Sequence, residues 1–367
     1  MFMLGSFEEE FEKIDAKRRL NPGGDVLKTL SKDGVRVVIF GNGVVGKDLA
    51  GSLPDYAKKK IVAFCDNYKT GFCKEYNLPV ISAKTLSEHY SDAVVIVAVA
   101  LRKTSDEIYD QVLQLGFSRE KVLRCYSGFG AVDWDQHKDG YKWAYDFFDD
   151  QISKAIILDR IRGYLSYYSS FEMAHSLSID QYFEQGVIRF SDHEVFVDGG
   201  CYTADTSLAF IERVKGKYDF IYGFEPEAAN FLKATENLAP YSNIEIMNKG
   251  LWNKTDQLFF HPDGASSTII SNGASSIQVT SLDEFFEDKK ALPTFIKLDI
   301  EGAEKQALLG MKNLIGKAHP KLAICAYHKP QDVYELPKLI LQLGSKYKFK
   351  LRHYMPDLSE TVLYAQY

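Results

Sequence analysis

The chain has 367 residues, too many for one ordinary core, so two domains are expected. Hydrophobic residues make up 46% and charged ones 26%, which excludes a disordered chain. The net charge of −6 gives a nucleic-acid partner no electrostatic support.

The opening stretch, MFMLGSFEEEFEKIDAKRRL, lacks the basic start and apolar core of a signal peptide. No apolar run approaches the ~20 residues that cross a membrane, so no membrane span and a cytoplasmic location are expected. Cys65, Cys73, Cys125, Cys201 and Cys325 are scattered without metal-type pairing and read as thiols of a reducing compartment.

A first domain is expected over residues 1–130. VRVVIFGNGVVGKDLA is a β-branched strand, then Gly41, Gly43 and Gly46, then a helical pattern. This is the G-x-G-x-x-G spacing in its strand–turn–helix context. KIVAFCDN follows as a second strand ending in Asp66, and DAVVIVAVA is an apolar run suited to a buried parallel strand. Such glycines let backbone approach a phosphate at a helix N-terminus, and the acid is placed for ribose hydroxyls. A nucleotide is the expected ligand; the alternative is an empty turn in a docking domain.

Residues 131–190 read as a helical connector. Tyr145, Phe148, Ile152, Ile156, Leu158, Ile161, Leu165 and Tyr168 recur at three- and four-residue spacing. This stripe is expected to pack rather than to bind.

The second domain is expected over residues 191–367. EVFVDGG, YDFIYGFEPE, NIEIMNKGLW, PTFIKLDIEGAE and PKLAICAYHKP read as strands, and helical stretches alternate with them. The fold class is therefore α/β in both domains, doubly wound and mainly parallel in the second. Ligands of such sheets sit outside the carboxyl ends of the strands. Asp198, Glu225, Asn248, Asp299 and His328 fall at those ends.

Glycines after the first strand and an acid after the second describe a site for an adenosine-bearing ligand. Gly199 and Gly200 form the turn, and Tyr202, Asp205 and Thr206 follow within it. Glu225 can accept both ribose hydroxyls, since a carboxylate offers two acceptor oxygens. Asp198 beside the turn disfavours a phosphate there and favours an ammonium or a sulfonium. The ligand is thus expected to be S-adenosylmethionine (SAM) rather than NAD.

These motifs carry two resemblances. VVIFGNGVVGKDLA, IVAFCDNYKTG, LPVISAKTL and DAVVIVAVA resemble the N-terminal domains of bacterial sugar O-acyltransferases, which implies a nucleotide-sugar at the glycine turn. YFEQGVI, EVFVDGGCYTADTSLAF, YGFEPEAANF, NKGLWN, VTSLDEFF, IKLDIEGAEKQALLGM, YHKPQDVYELP and LRHYMPDLSETVLYAQY resemble the FkbM family of SAM-dependent methyltransferases. That second resemblance covers about residues 180–367. It implies the class I methyltransferase fold, SAM held through Asp198, Gly200, Glu225 and Asp299, and methylation of hydroxyls on sugars or other natural products. One departure is Ala204, where the family often has glycine; alanine fits if it already lies within the helix.

Methyl transfer to a hydroxyl needs a proton acceptor. His328, ending an apolar strand ahead of Lys329-Pro330, is the expected general base, with Asp299 as the second catalytic residue. Asp299, Glu301 and Glu304 also present three carboxylates suited to Mg²⁺. The preferred reading places Glu301 and Glu304 in a first helical turn, where the dipole favours acids. The leading function is an O-methyltransferase acting on a small-molecule or sugar-containing acceptor in polysaccharide or natural-product biosynthesis; a homo-oligomer is compatible with it. The alternatives are an NAD-dependent oxidoreductase based on the first domain and a non-catalytic protein that binds SAM or a nucleotide-sugar.

Overall fold

The computed structural model describes residues 3–20, 29–99, 102–125, 134–165, 173, 177–260, 275–344, 346–355 and 358–367. The chain divides into two compact units. One comprises Met1–Lys138, Ile157–His175 and Pro356–Leu358; the other comprises Asp139–Ile156, Ser176–Met355 and Ser359–Tyr367. No helix among the described residues is long and apolar enough to cross a membrane. Cys65, Cys73, Cys201 and Cys325 are buried free thiols, and the Cys125 side chain lies outside the described residues.

The first unit is built on β1 (Val37–Phe40), β2 (Ile61–Cys65), β3 (Gly71–Cys73), β4 (Leu78–Ile81), β5 (Val94–Ala98) and β6 (Val122–Cys125). Their order is β3-β4-β2-β1-β5-β6, with β3 antiparallel to β4 and the other pairs parallel. Val37 and Ile39 pack on one face with Leu49 and Ala50, and Val38 and Phe40 on the other with Leu86 and Val112. A strand covered on both faces is apolar at every position, which explains the unbroken VVIF.

In the second unit a seven-stranded sheet contains β7 (Val195–Gly199), β8 (Phe220–Phe224), β9 (Ile244–Met247), β13 (Phe295–Leu298), β14 (Lys321–Cys325), β15 (Lys348–His353) and β16 (Thr361–Gln366). Its order is β15-β16-β14-β13-β7-β8-β9. All pairs are parallel except those of β16, which runs against both β14 and β15. A second sheet joins β10 (Gly250–Leu251), β12 (Ser275–Thr280) and β11 (Asp256–Phe260) in that order. Phe196 and Phe295, 4.9 Å apart on adjacent central strands, anchor an aromatic core with Phe183, Phe190 and Phe210.

Two local expectations change. NIEIMNKGLW is not one strand: β9 and β10 go to different sheets, and Asn248 stands at the break, its amide donating to the carbonyls of Glu225 and Pro226. The connector periodicity is divided between helices Trp134–Phe147 and Gln151–Leu165, because Asp150 accepts from the Ser153 N–H and caps the second. Tyr145, Phe148, Ile156, Leu158 and Ile161 are fully buried, while Ile152 and Leu165 of the same stripe are half-buried. Tyr168 and residues 127–130 lie outside the described residues.

Candidate functional site

The strand order of the seven-stranded sheet reverses direction between β7 and β13, which makes their carboxyl edge the switch point where such sheets bind ligands. A cavity of about 910 Å³ opens there. Gly200, Tyr202, Asp205, Thr206, Glu225, Asp299 and Glu301 line it. Asp198, Gly199, Asn248, Glu304 and His328 do not.

Gly200 has a φ of +72°, and a Cβ there would lie 1.9 Å from the Asp299 carbonyl oxygen. The turn therefore needs glycine for both conformation and space. The N–H groups of Gly200 and Cys201 both donate to the Phe224 carbonyl, which draws the turn over the end of β8. Ala204 is not within the helix, as alanine would prefer. It precedes helix Asp205–Arg213 with a φ of +71°, and Tyr202 is also left-handed at +48°. Two non-glycine residues in this conformation store strain in the turn.

Glu225 is held from both sides. Its Oε2 accepts from the Tyr202 N–H at 2.9 Å and its Oε1 from the Glu227 N–H at 2.9 Å. Burial raises its pKa, while these N–H groups pull it down. One lone pair on each oxygen is left to face the cavity.

Asp198 plays a different part from the one expected. It is fully buried, its Oδ2 accepts from Ser207, and its Oδ1 lies 3.1 Å from Lys297 Nζ. Lys297, midway along β13, also donates to the carbonyls of Gly199 and Gly200 at 3.3 and 2.8 Å. Lys297 thus hydrogen-bonds two carbonyls and pairs its charge with Asp198. Burial opposes the lysine charge, but Asp198 and Asp299 outweigh it and raise the pKa. With its charge matched, Asp198 does not repel an anion at the turn. Glu225, Asp299, Glu301 and Glu360 line the cavity, together with Lys297 and Lys329. A lysine inside the apolar run FIKL was the signal that could have revealed this pair.

His328 sits among carboxylates. Its Nδ1 is 3.1 Å from Glu304 Oε1, and its Nε2 is 3.6 Å from Asp299 Oδ1 and 3.5 Å from Glu301 Oε2. Burial opposes its charge, but Glu304, Asp299 and Glu301 raise the pKa to about 9. These carboxylates favour the imidazolium, which has no lone pair to receive a proton, and so work against the expected base role. Glu304 is buried and accepts from the N–H groups of Ile300 and Gly302. It opens helix Glu304–Leu309, whereas Glu301 lies ahead of that helix in a left-handed turn and is exposed. The three acids therefore form no oxygen-only set. Among the described residues, the donor sets that do gather are Asp299, Glu304, His328 and Asp299, Cys325, Glu360. A ring nitrogen or a thiol does not suit Mg²⁺.

Four residues that sequence reasoning left unassigned complete the acidic end. The Tyr182 hydroxyl donates to Asp299 Oδ2 at 3.0 Å. The Tyr327 hydroxyl is 3.2 Å from Asp299 Oδ1 and 3.2 Å from Glu360 Oε1, and Gln181 donates to Glu360 Oε2.

The first unit brings its own predicted residues together. A Cβ on Gly41 would lie 2.3 Å from the Ala98 carbonyl oxygen, and one on Gly46 would lie 1.8 Å from that of Gly41. Gly43, ahead of helix Val44–Ser52, has open space where its Cβ would be. Asp66 accepts from the N–H groups of Asn42, Tyr68 and Lys69.

Residues 198–351 match the model of the methyltransferase FkbM domain. The solved structure of methyltransferase FkbM from Methylobacillus flagellatus KT is 25% identical, with a TM-score of 0.73 over 98% of each chain. The hexuronic acid methyltransferase AglP of Haloferax volcanii is 27% identical over 164 residues, which are 43% of this chain and 67% of that protein.

Proposed function

From the FkbM methyltransferase domain that residues 198–351 form, we propose that this protein moves a methyl group from SAM to a hydroxyl of a sugar or sugar-bearing acceptor. The observation that carries the reading is Glu225, fixed by two backbone N–H groups at the switch-point cavity beside the Gly200 turn. The relative named for a hexuronic acid supports the sugar class.

The residues present fit SAM. Glu225 would take the ribose hydroxyls, and Leu251, Ile277 and Val279 supply apolar wall in the same cavity. Asp299, Glu301 and Glu360 complement positive charge. When bound, SAM supplies an electrophilic methyl group. The chain's part is to hold the acceptor oxygen in line with it, and such positioning contributes up to ~7–11 kcal/mol. Lys297 keeps the turn in place through two carbonyls, and the His328 cation holds Asp299 and Glu304. Calorimetric titration with SAM, then methyl-labelled SAM offered with monosaccharides and nucleoside-diphosphate sugars, tests the assignment. No SAM binding, or no label transferred to any sugar, refutes it.

The turn from Gly41 to Gly46 is proposed to hold a nucleotide or nucleotide-sugar. Open space at Gly43, with close packing at Gly41 and Gly46, supports this. A panel of nucleotides and UDP-sugars in thermal unfolding tests it; no shift with any of them leaves the unit a docking module.

A further inference from the structure

With His328 held as a cation, the acceptor's proton needs another home, and Glu360 lines the cavity where His328 does not. Glu360 immediately precedes β16, and the antiparallel pairing of β16 with β14 brings it beside Tyr327. Its φ is +57°, a left-handed backbone that a glutamate adopts only when its surroundings impose it.

Hydrogen counting at Tyr327 shows room for a further proton between the two carboxylates. Burial, with Cys325 and Asp299 close by, raises the Tyr327 pKa and keeps the phenol neutral. It has one hydrogen and two carboxylates at 3.2 Å, Asp299 Oδ1 and Glu360 Oε1. When that hydrogen points to Asp299, the phenol oxygen faces Glu360 with lone pairs only. A proton on Glu360 completes the chain: Glu360 donates to Tyr327, and Tyr327 donates to Asp299. The cluster accommodates one more proton than its phenols supply.

We propose that Glu360 is the residue that takes the proton of the acceptor hydroxyl, with Tyr327 and Asp299 holding it in place. This rests on the methyl-transfer reading above. As the acceptor oxygen forms its bond to the methyl carbon, the carbon–sulfur bond breaks with its electron pair going to sulfur. The hydroxyl proton passes to a Glu360 oxygen, so the sulfonium charge is lost and the carboxylate becomes neutral. Burial and the Asp299 charge raise the Glu360 pKa, while Gln181, Tyr327 and His328 pull it down. The groups facing it are thus Asp299 after β13, Cys325, Tyr327 and His328 at the end of β14, and Gln181 and Tyr182 ahead of β7.

Infrared difference titration of the full chain reads carboxyl protonation with no acceptor present. The wild type is expected to show a carboxyl titrating above the ordinary ~4.3 that is missing from Glu360→Gln. Asp332, pushed up to about 7, titrates in both proteins and cancels in the comparison. Glu360→Gln loses one of the acids that line the cavity and is expected to bind SAM more weakly by calorimetry, so turnover is compared at saturating SAM. With the sugar that wild type methylates, its kcat is expected to fall about a hundredfold or more. A titration unchanged by Glu360→Gln overturns the proposal, as does a smaller loss of kcat at saturating SAM. Failure of the wild type to bind SAM overturns the methyl-transfer reading instead, and the titration still reads Glu360 by itself.

Discussion

Replacing His328 by asparagine removes a buried cation from among Glu304, Asp299 and Glu301. Burial alone would lower its pKa, but the carboxylates lift it from the ordinary 6.5 to about 9. The folded state therefore binds this proton more tightly than the unfolded chain does. The resulting stability is present in full below pH ~6.5 and is lost as pH rises through about 9. A tenfold change in proton affinity is about 1.4 kcal/mol, so the contribution is about 3 kcal/mol. The side chain is 10% exposed, so solvent screening removes little of it. Urea unfolding at about pH 6 and about pH 9.5 measures the effect. Asp332 titrates at the lower edge of this window, pushed to about 7 by burial and the Glu304 charge. The difference between wild type and variant reports His328 together with its effect on Asp332, whose pKa the His328 charge lowers. His328→Asn is expected to be about 3 kcal/mol less stable at pH 6 and to converge on wild type at pH 9.5. An equally steep pH slope in the two proteins would refute the reasoning.

Glu225→Gln is expected to weaken SAM about tenfold or more, from the loss of ~1.5 kcal/mol in charge-assisted hydrogen bonding; calorimetry with unchanged affinity would remove Glu225 from the ribose. Gly46→Ala is expected to lower stability by ~1–3 kcal/mol, because its Cβ meets the Gly41 carbonyl, while Gly43→Ala meets open space and stays within ~0.5 kcal/mol in the same denaturant assay. Ala204→Gly is expected to raise stability by up to ~1 kcal/mol in thermal unfolding, since relief of the left-handed backbone (~1–2 kcal/mol) exceeds the loss of one buried methyl (~0.8 kcal/mol).

Local chemistry was legible in the sequence wherever it is set by neighbours along the chain. The apolar runs VVIF and VFVDG, the glycine turns behind them and the acid ending YGFE state strand, turn and ligand edge at short range, because backbone sterics and burial act over a few residues. Pairing across the sheet is another matter. Asp198 and Lys297 are register partners on β7 and β13, and only that parallel pairing turns an apparent ligand-facing acid into half of a buried ion pair. His328 has the strand-end position of a base, but its charge state is set by Glu304, Asp299 and Glu301, which a separate turn supplies. Glu360 and Tyr182 lay within recognised motifs and carried no signal of their own. They meet Asp299 and Tyr327 because β16 inserts beside β14 and because the segment ahead of β7 reaches the cavity. A short motif constrains one strand end, whereas a proton's location depends on every charge within a few ångströms, and only the tertiary fold decides which charges those are.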